Sequence, residues 1–151
     1  AARETFLIDV NDFEKFEGDL RRLLAKETML FQEFQHQIQS KGEMSLMMIG
    51  GKYTHAVLKK AKSGDFRVQD DFGGKVETHH AVQDEIAFAE IAIAACPQLP
   101  LYARVDIVYD NNNELALGEL ELIEPELWFR NYPEAANKLA ISIIEFISKM
   151  D

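Results

Sequence analysis

Two periodicities organise this chain: apolar residues alternating with polar ones, and apolar residues recurring every three to four positions. Residues 5–8 (Thr5, Phe6, Leu7, Ile8) read as a short strand. Asn11 is placed to cap a helix, and Phe13, Phe16, Leu20, Leu23 and Leu24 follow at helical spacing, which predicts an amphipathic helix over 12–26. Residues 29–34 are apolar and aromatic and read as a strand, and the polar stretch 35–41 ends at Gly42. Residues 44–49 form a strong strand, Gly50-Gly51 a turn and 53–59 the return strand of a hairpin. Turn chemistry fills 60–75, with Ser63-Gly64-Asp65 and Gly73-Gly74; long glycine-bearing loops of this kind tend to be functional. Val82, Ile86, Ala89 and Ile93 predict a helix over 82–95, broken by Pro97 and Pro100. A second hairpin follows, turning at Asp110-Asn111-Asn112-Asn113. Pro133 opens the last helix, where Leu139, Ile143, Ile144, Phe146 and Ile147 give a broad apolar face.

Interleaved strands and helices with repeated hairpins place the chain in the α+β class, with a mainly antiparallel sheet and flanking helices in a single domain over 1–151. The helices before and after the second hairpin are expected to cover one face of the sheet. The other face of that hairpin is then left open to a cleft.

Charge narrows the partners. A formal net charge of -10 disfavours nucleic acid and anionic membranes. No apolar run reaches membrane-spanning length, and the N-terminus lacks a signal-peptide core. The single Cys96 cannot form an internal disulfide, which points to a reducing, cytoplasmic setting. Cys96 itself reads as a small core residue at a helix end. The chain starts without Met at a strand-like segment, so it reads as a fragment, or as a chain that has lost its N-terminal part. Its oligomeric state is not legible.

The chemistry concentrates in the second hairpin. On a strand, Arg104 and Asp106 share a face, as do Glu119 and Glu121, and the turn brings the two strands side by side. Two readings stand. One is a solvated sheet face with cross-strand Arg–Glu pairs. The other is an oxygen-donor site for Mg²⁺, which usually arrives with a substrate phosphate. The like charges of Glu119 and Glu121, with Asp106 beside them, are unfavourable without a cation and speak for the second. The four histidines have no metal-ligand spacing: His79-His80 reads as solvent-facing and His55 as core or face-lining. Trp128 and Phe129 read as core.

Three blocks, in order, resemble the C-terminal part of an ATP-grasp ligase domain, similar to bacterial glutathione synthetase and the ribosomal-protein glutamate ligases, and more distantly to D-alanine–D-alanine ligase. The resemblance runs over about residues 29–125. Phe31-Gln32-Glu33-Phe34, then Gly42-Glu43, resembles the adenine hinge. It implies that the backbone around Gln32, Glu33 and Phe34 holds the base, and that Glu43 accepts from the ribose hydroxyls. Lys59, then Gly64-Asp65-Phe66-Arg67-Val68-Gln69, then Gly73-Gly74 resembles a segment that supplies basic residues to the acyl phosphate or substrate carboxylate, here Lys59 and Arg67. A surface ion pair of Arg67 with Asp65 or Asp70 is the alternative. Lys59 stands where the family has Arg, and Gln69 where it has Asn. Arg104-Val105-Asp106 resembles the family's Arg-x-Asp, and Glu119-Leu120-Glu121 its Glu-x-Asn with Pro125 beyond. This implies Asp106, Glu119 and Glu121 as Mg²⁺ ligands (Mn²⁺ being possible), with Arg104 stabilising charge on the transferring phosphoryl group. Glu121 departs from the usual Asn but remains a hard oxygen ligand.

The resemblance implies an ATP- and Mg²⁺-dependent ligase that activates a carboxylate as an acyl phosphate for attack by an amine or thiol. Its partners are small-molecule acids and amines, with amino acids or peptides as the extrapolated class. The family's phosphate-contacting lysines and glycine-rich loop have no counterpart here: Lys15, Arg21, Arg22 and Lys26 fall on the polar face of a helix. The chain is therefore expected to be a partial ATP-grasp domain, inactive alone. Two further readings remain: a non-catalytic nucleotide- or partner-binding module, favoured by Glu121, and a structural α+β domain with an acidic face.

Overall fold

The computed structural model describes residues 5–62 and 74–149. The chain divides into two compact units, Ala1–Phe34 and Gln35–Asp151.

In the first unit a 3-10 turn at Val10–Asp12 leads into helix α1, Phe13–Leu24. Asp9 caps the turn, its carboxylate accepting from the Asn11 amide at 2.8 Å. The polar face of α1 carries the ion pairs Lys15–Asp12, Arg21–Glu17 and Arg22–Asp19. Phe6 packs on Phe16 with ring centroids 4.8 Å apart. Residues 5–8 and 29–34 are not strands. β-structure requires a partner for its backbone groups, and the described part of this unit otherwise holds only helix and turn.

The second unit is a five-stranded antiparallel sheet with helices α2 (Gln37–Lys41), α3 (Gln83–Ala94) and α4 (Glu134–Ile147). The strands are β1 (Glu43–Ile49), β2 (Lys52–Lys60), β3 (Lys75–His79), β4 (Tyr102–Tyr109) and β5 (Leu115–Glu121), in spatial order β3-β2-β1-β4-β5. Both hairpins expected from the sequence form. The turn of the second is built by Asp110, whose Oδ1 accepts from the amides of Asn112 and Glu114 at 2.8 Å each. Strand β3 was hidden in the tail of the long loop; the rest of that loop, 63–73, lies outside the described residues.

Each face of the sheet has its own cover. Met44, Leu46, Met48, Ala56, Ala103, Val105 and Ile107 face Ala89 and Ile93 of α3. On the opposite face, Met47 and Val57 pack on Leu127 and Trp128, with Leu139 of α4 against them. The two helices thus take opposite faces, not the shared face expected from the sequence. An apolar helix stripe shows that a helix is covered, not which side of a sheet covers it. The segment after β5 reverses through Glu124 and Trp128, both in the left-handed region at φ 53° and 52°. That reversal puts α4 and the segment before it on the face opposite α3.

Candidate active site

One row of side chains crosses four strands on the Met47 face. Cross-strand partners share a face. Glu43 of β1 lies opposite Lys59 of β2, and Ser45 opposite Asp106 of β4. Asp106 in turn lies opposite Glu119, and Arg104 opposite Glu121 of β5. The pairing of these last two residues depends on a bulge. Asp106 pairs with Glu119 but Ile107 pairs with Leu117, so Gly118 is an extra residue in β5. A strictly alternating strand would put Leu117 on the same face as Glu119. The bulge switches parity, sending Leu117 to the Ile107 side and both glutamates to the Asp106 side. At the other end of the row, Gly42 (φ 78°) enters β1 where a Cβ would run into the Lys59 carbonyl oxygen. This close approach sets Glu43 beside Lys59.

Two cations knit the row together. Arg104 holds Asp106 in a fork: Nε donates to Oδ1 at 2.9 Å and Nη2 to Oδ2 at 2.9 Å. The same Nη2 donates to Glu121 Oε1 at 2.5 Å and lies 3.7 Å from Glu119 Oε2. Lys59 Nζ donates to Asp106 Oδ2 at 3.0 Å and pairs with Glu43. With all four carboxylates ionised, the row carries two more negative than positive charges.

Burial separates this arrangement from a solvated sheet face. Asp106 is 0% exposed, Lys59 7% and Arg104 8%. Only the outer edge opens to solvent, where the Glu119 side chain is 60% exposed. The open cleft expected from the sequence is therefore confined to that edge. Burial works against the Asp106 charge, but Lys59 and then Arg104 outweigh it and lower its pKa. Burial raises Glu43, which Lys59 opposes without cancelling. Glu119 is also raised, by burial and then by repulsion from Glu121 and Asp106. Burial disfavours charge on Arg104 too, yet Asp106 and the glutamates more than compensate, and its pKa is raised.

The donor set suits a hard divalent cation. Asp106, Glu119 and Glu121 each offer a carboxylate oxygen, and these oxygens lie within 4.8 Å of one another. All are oxygen donors, as Mg²⁺ and Mn²⁺ prefer. Beside them the Ser45 hydroxyl is buried and, among the described residues, has no partner in hydrogen-bonding geometry. It still makes the smallest of the contributions that lower Asp106.

Lys59, Glu43, Arg104, Asp106, Glu119 and Glu121 are thus brought together. Gln32, Glu33 and Phe34 belong to the first unit. Arg67 and Gln69 lie outside the described residues. Ser45 and the Gly118 bulge went unread in the sequence. The usable signals were a lone hydroxyl in the apolar run 44–49 and a glycine inside a strand. His55 is buried, its Nε2 2.9 Å from the Leu127 carbonyl oxygen and its Nδ1 2.9 Å from Thr54 Oγ1. His79 is half-buried and not solvent-facing, since Glu85 of α3 holds its Nε2 at 2.8 Å. Cys96 is half-buried just past the end of α3.

Residues 12–125 match the RimK-like ATP-grasp domain, and the chain belongs to that family. Among solved structures it is similar to the D-cycloserine synthetase DcsG, with 26% identity and a TM-score of 0.75 over 89% of this chain and 48% of that one. It is also similar in fold to the ATP complex of a D-alanine–D-alanine ligase from Bacillus anthracis, with 15% identity and a TM-score of 0.53 over 87% of this chain and 45% of that one. The chain thus spans about half the length of these relatives. Comparison with curated proteins gave no match. Among the described residues, no helix is long and apolar enough to cross a membrane.

Proposed function

We propose that this chain is the ATP-grasp portion of an ATP- and Mg²⁺-dependent ligase that joins a carboxylate to an amine, or to a thiol, through an acyl phosphate. One observation carries the reading: three carboxylates converge on one guanidinium, in segments whose sequence resembles the family's Arg-x-Asp and Glu-x-Asn. Asp106, Glu119 and Glu121 would hold Mg²⁺, with Mn²⁺ able to replace it. When bound, the ion supplies charge neutralisation and polarises phosphate oxygens.

The rest is positioning by the chain's own groups. Arg104 places a positive charge beside the phosphoryl group. Lys59, tied to both Glu43 and Asp106, holds the carboxylate row in register. Glu43 accepts from the ribose, the backbone of Gln32, Glu33 and Phe34 pairs with the adenine edge, and Arg67 neutralises the acyl phosphate. The amino-acid character of the products and substrates named in the two relatives favours an amino acid or peptide as acid, amine or both. Cytoplasmic placement fits a chain with one cysteine.

The test is ADP release from the whole ligase of which this chain is the ATP-grasp portion, with ATP, Mg²⁺ and panels of amino acids and peptides, and with hydroxylamine trapping the acyl phosphate as a hydroxamate; the isolated chain is expected to release no ADP. Mg²⁺-dependent ADP and hydroxamate that Glu119→Gln abolishes are the expected result. Nucleotide binding without ADP release for any pair would favour the non-catalytic module instead. The engagement of Arg104 by Glu121, where the family carries Asn, is what keeps that second reading in play.

A further inference from the structure

Arg104 reaches in among the three carboxylates that would hold the ion. Its Nη2 is 2.9 Å from Asp106 Oδ2, 2.5 Å from Glu121 Oε1 and 3.7 Å from Glu119 Oε2, and those residues are the three that could ligate a cation. Mg²⁺ needs its oxygens at about 2.1 Å. A guanidinium nitrogen and a divalent ion cannot both occupy the centre of that triangle. Lys59 is placed differently: it contacts Asp106 and Glu43 but neither glutamate of β5.

We propose that Arg104 is a tethered cation that competes with a divalent ion for the carboxylates of Asp106, Glu119 and Glu121, and is turned away from them when the ion enters. The inference rests on the reading of Asp106, Glu119 and Glu121 as the metal site. Without an ion, the guanidinium offsets the repulsion among three carboxylates and keeps them converged. When the ion takes over that task, Arg104 loses its fork on Asp106. Lys59 stays behind on Asp106 Oδ2, so this fully buried carboxylate keeps a counter-charge throughout. The released guanidinium is free to bind an anion delivered with the metal, such as a phosphate. Arrival of the ion thereby presents the arginine, and one set of carboxylates serves two cations in turn.

Competition has a measurable cost: apparent affinity falls by the fraction of time that the site is free. Free Mn²⁺ can be counted by electron paramagnetic resonance during titration with Mn²⁺ alone. The chains to compare are wild type, Arg104→Met, Lys59→Met and Glu119→Gln. Removing either cation lowers local positive charge, so a general electrostatic effect raises Mn²⁺ affinity in both variants, more for Arg104→Met because that charge lies nearer all three carboxylates, and the Arg104 Nε–H readout below separates occupancy from this effect. Occupancy predicts that Arg104→Met binds about tenfold more tightly than wild type and clearly more tightly than Lys59→Met. Equal gains, or no gain for Arg104→Met, would overturn the proposal. A second readout leaves the fold untouched. In wild type titrated with Mg²⁺, the Arg104 Nε–H resonance should shift and lose its protection from solvent exchange. If Mg²⁺ moves the amides of Glu119 and Glu121 while Arg104 Nε–H stays as it was, the metal reading survives and the tethered cation does not. If no chain binds Mn²⁺ while Glu119→Gln behaves as wild type, the metal reading fails and takes the proposal with it.

Discussion

Strand β4 buries both of its faces to the same depth and gives them opposite chemistry. Ala103, Val105 and Ile107 are 0% exposed against α3, and Asp106 on the other face is also 0% exposed. On the first face burial is itself the stabilising force, roughly 25 cal/mol for each Å² of apolar surface removed from water. On the second, burial opposes every charge, and only the pairing of Lys59 and Arg104 with the carboxylates offsets that cost. Well-packed apolar residues in such a row would often be as stable or more so. A charged row kept at core depth therefore reads as a site, whereas the apolar row reads as a support.

Substitutions on the two faces should separate these roles. The largest effect belongs to the apolar face. Leu46→Ala, at a fully buried position, should cost about 2–5 kcal/mol in chemical denaturation. Whatever fraction stays folded should bind Mn²⁺ like wild type. Asp106→Asn should cost about 3 kcal/mol, since it leaves Lys59 and Arg104 buried with one fewer counter-charge, and it should abolish Mn²⁺ binding as well. A loss confined to stability would remove the distinction between the faces.

The next effect concerns the apolar end of the charged face. Burial lowers the pKa of His55 below its ordinary 6.5, against smaller opposing contributions from the Leu127 and Trp128 backbone. The unfolded chain then takes up the proton first as pH falls. The neutral His55 contributes its full stability above that value, and loses it as pH drops through and below 6.5, by at most about 1.4 kcal/mol per pH unit. Glu43 and Glu119, both raised, act with the opposite sign and gain stability on acidification. Asp106, lowered, keeps its full contribution only above its ordinary 3.8, begins to lose it as pH falls toward that value, and has lost it once pH is below the depressed folded value. The difference between wild type and His55→Gln, measured by urea denaturation at about pH 7.5 and about pH 5.5, isolates the histidine. Equal slopes in the two proteins would mean that His55 does not link β2 to the segment before α4.

The smallest stability effect should come from Glu119→Gln. It relieves repulsion from Glu121 and Asp106, yet the side chain is 60% exposed and solvent screens it. Stability should stay level or rise by a few tenths of a kcal/mol. Mn²⁺ affinity should nonetheless fall. That opposition of signs is the mark of a residue kept for its ligand.

Much of this contrast was legible in the residues themselves. The alternation around Arg104 and Asp106, and the Asp-Asn-Asn-Asn turn, were enough to bring Glu119 and Glu121 alongside them. The helices α1, α3 and α4 follow from their apolar spacing to within a few residues. Strand readings failed where only composition supported them: 5–8 and 29–34 are apolar but find no partner strand among the described residues. Strand β3 was missed for the converse reason, since Lys75, Glu77 and His79 make it polar on one face at the sheet edge. The burial of the charged row could not be read at all. The chain's reversal after Glu121 was equally hidden, since it passes through two residues with positive φ that carry no glycine to announce them.

The most direct test of the account is calorimetric titration of the protein with ATP, with and without Mg²⁺, beside Glu119→Gln. Mg²⁺-dependent binding that this folded, undiminished variant loses is the predicted result. Binding that is indifferent to Mg²⁺, or unchanged in the variant, would contradict the claim that the buried carboxylate row is there to hold a metal ion.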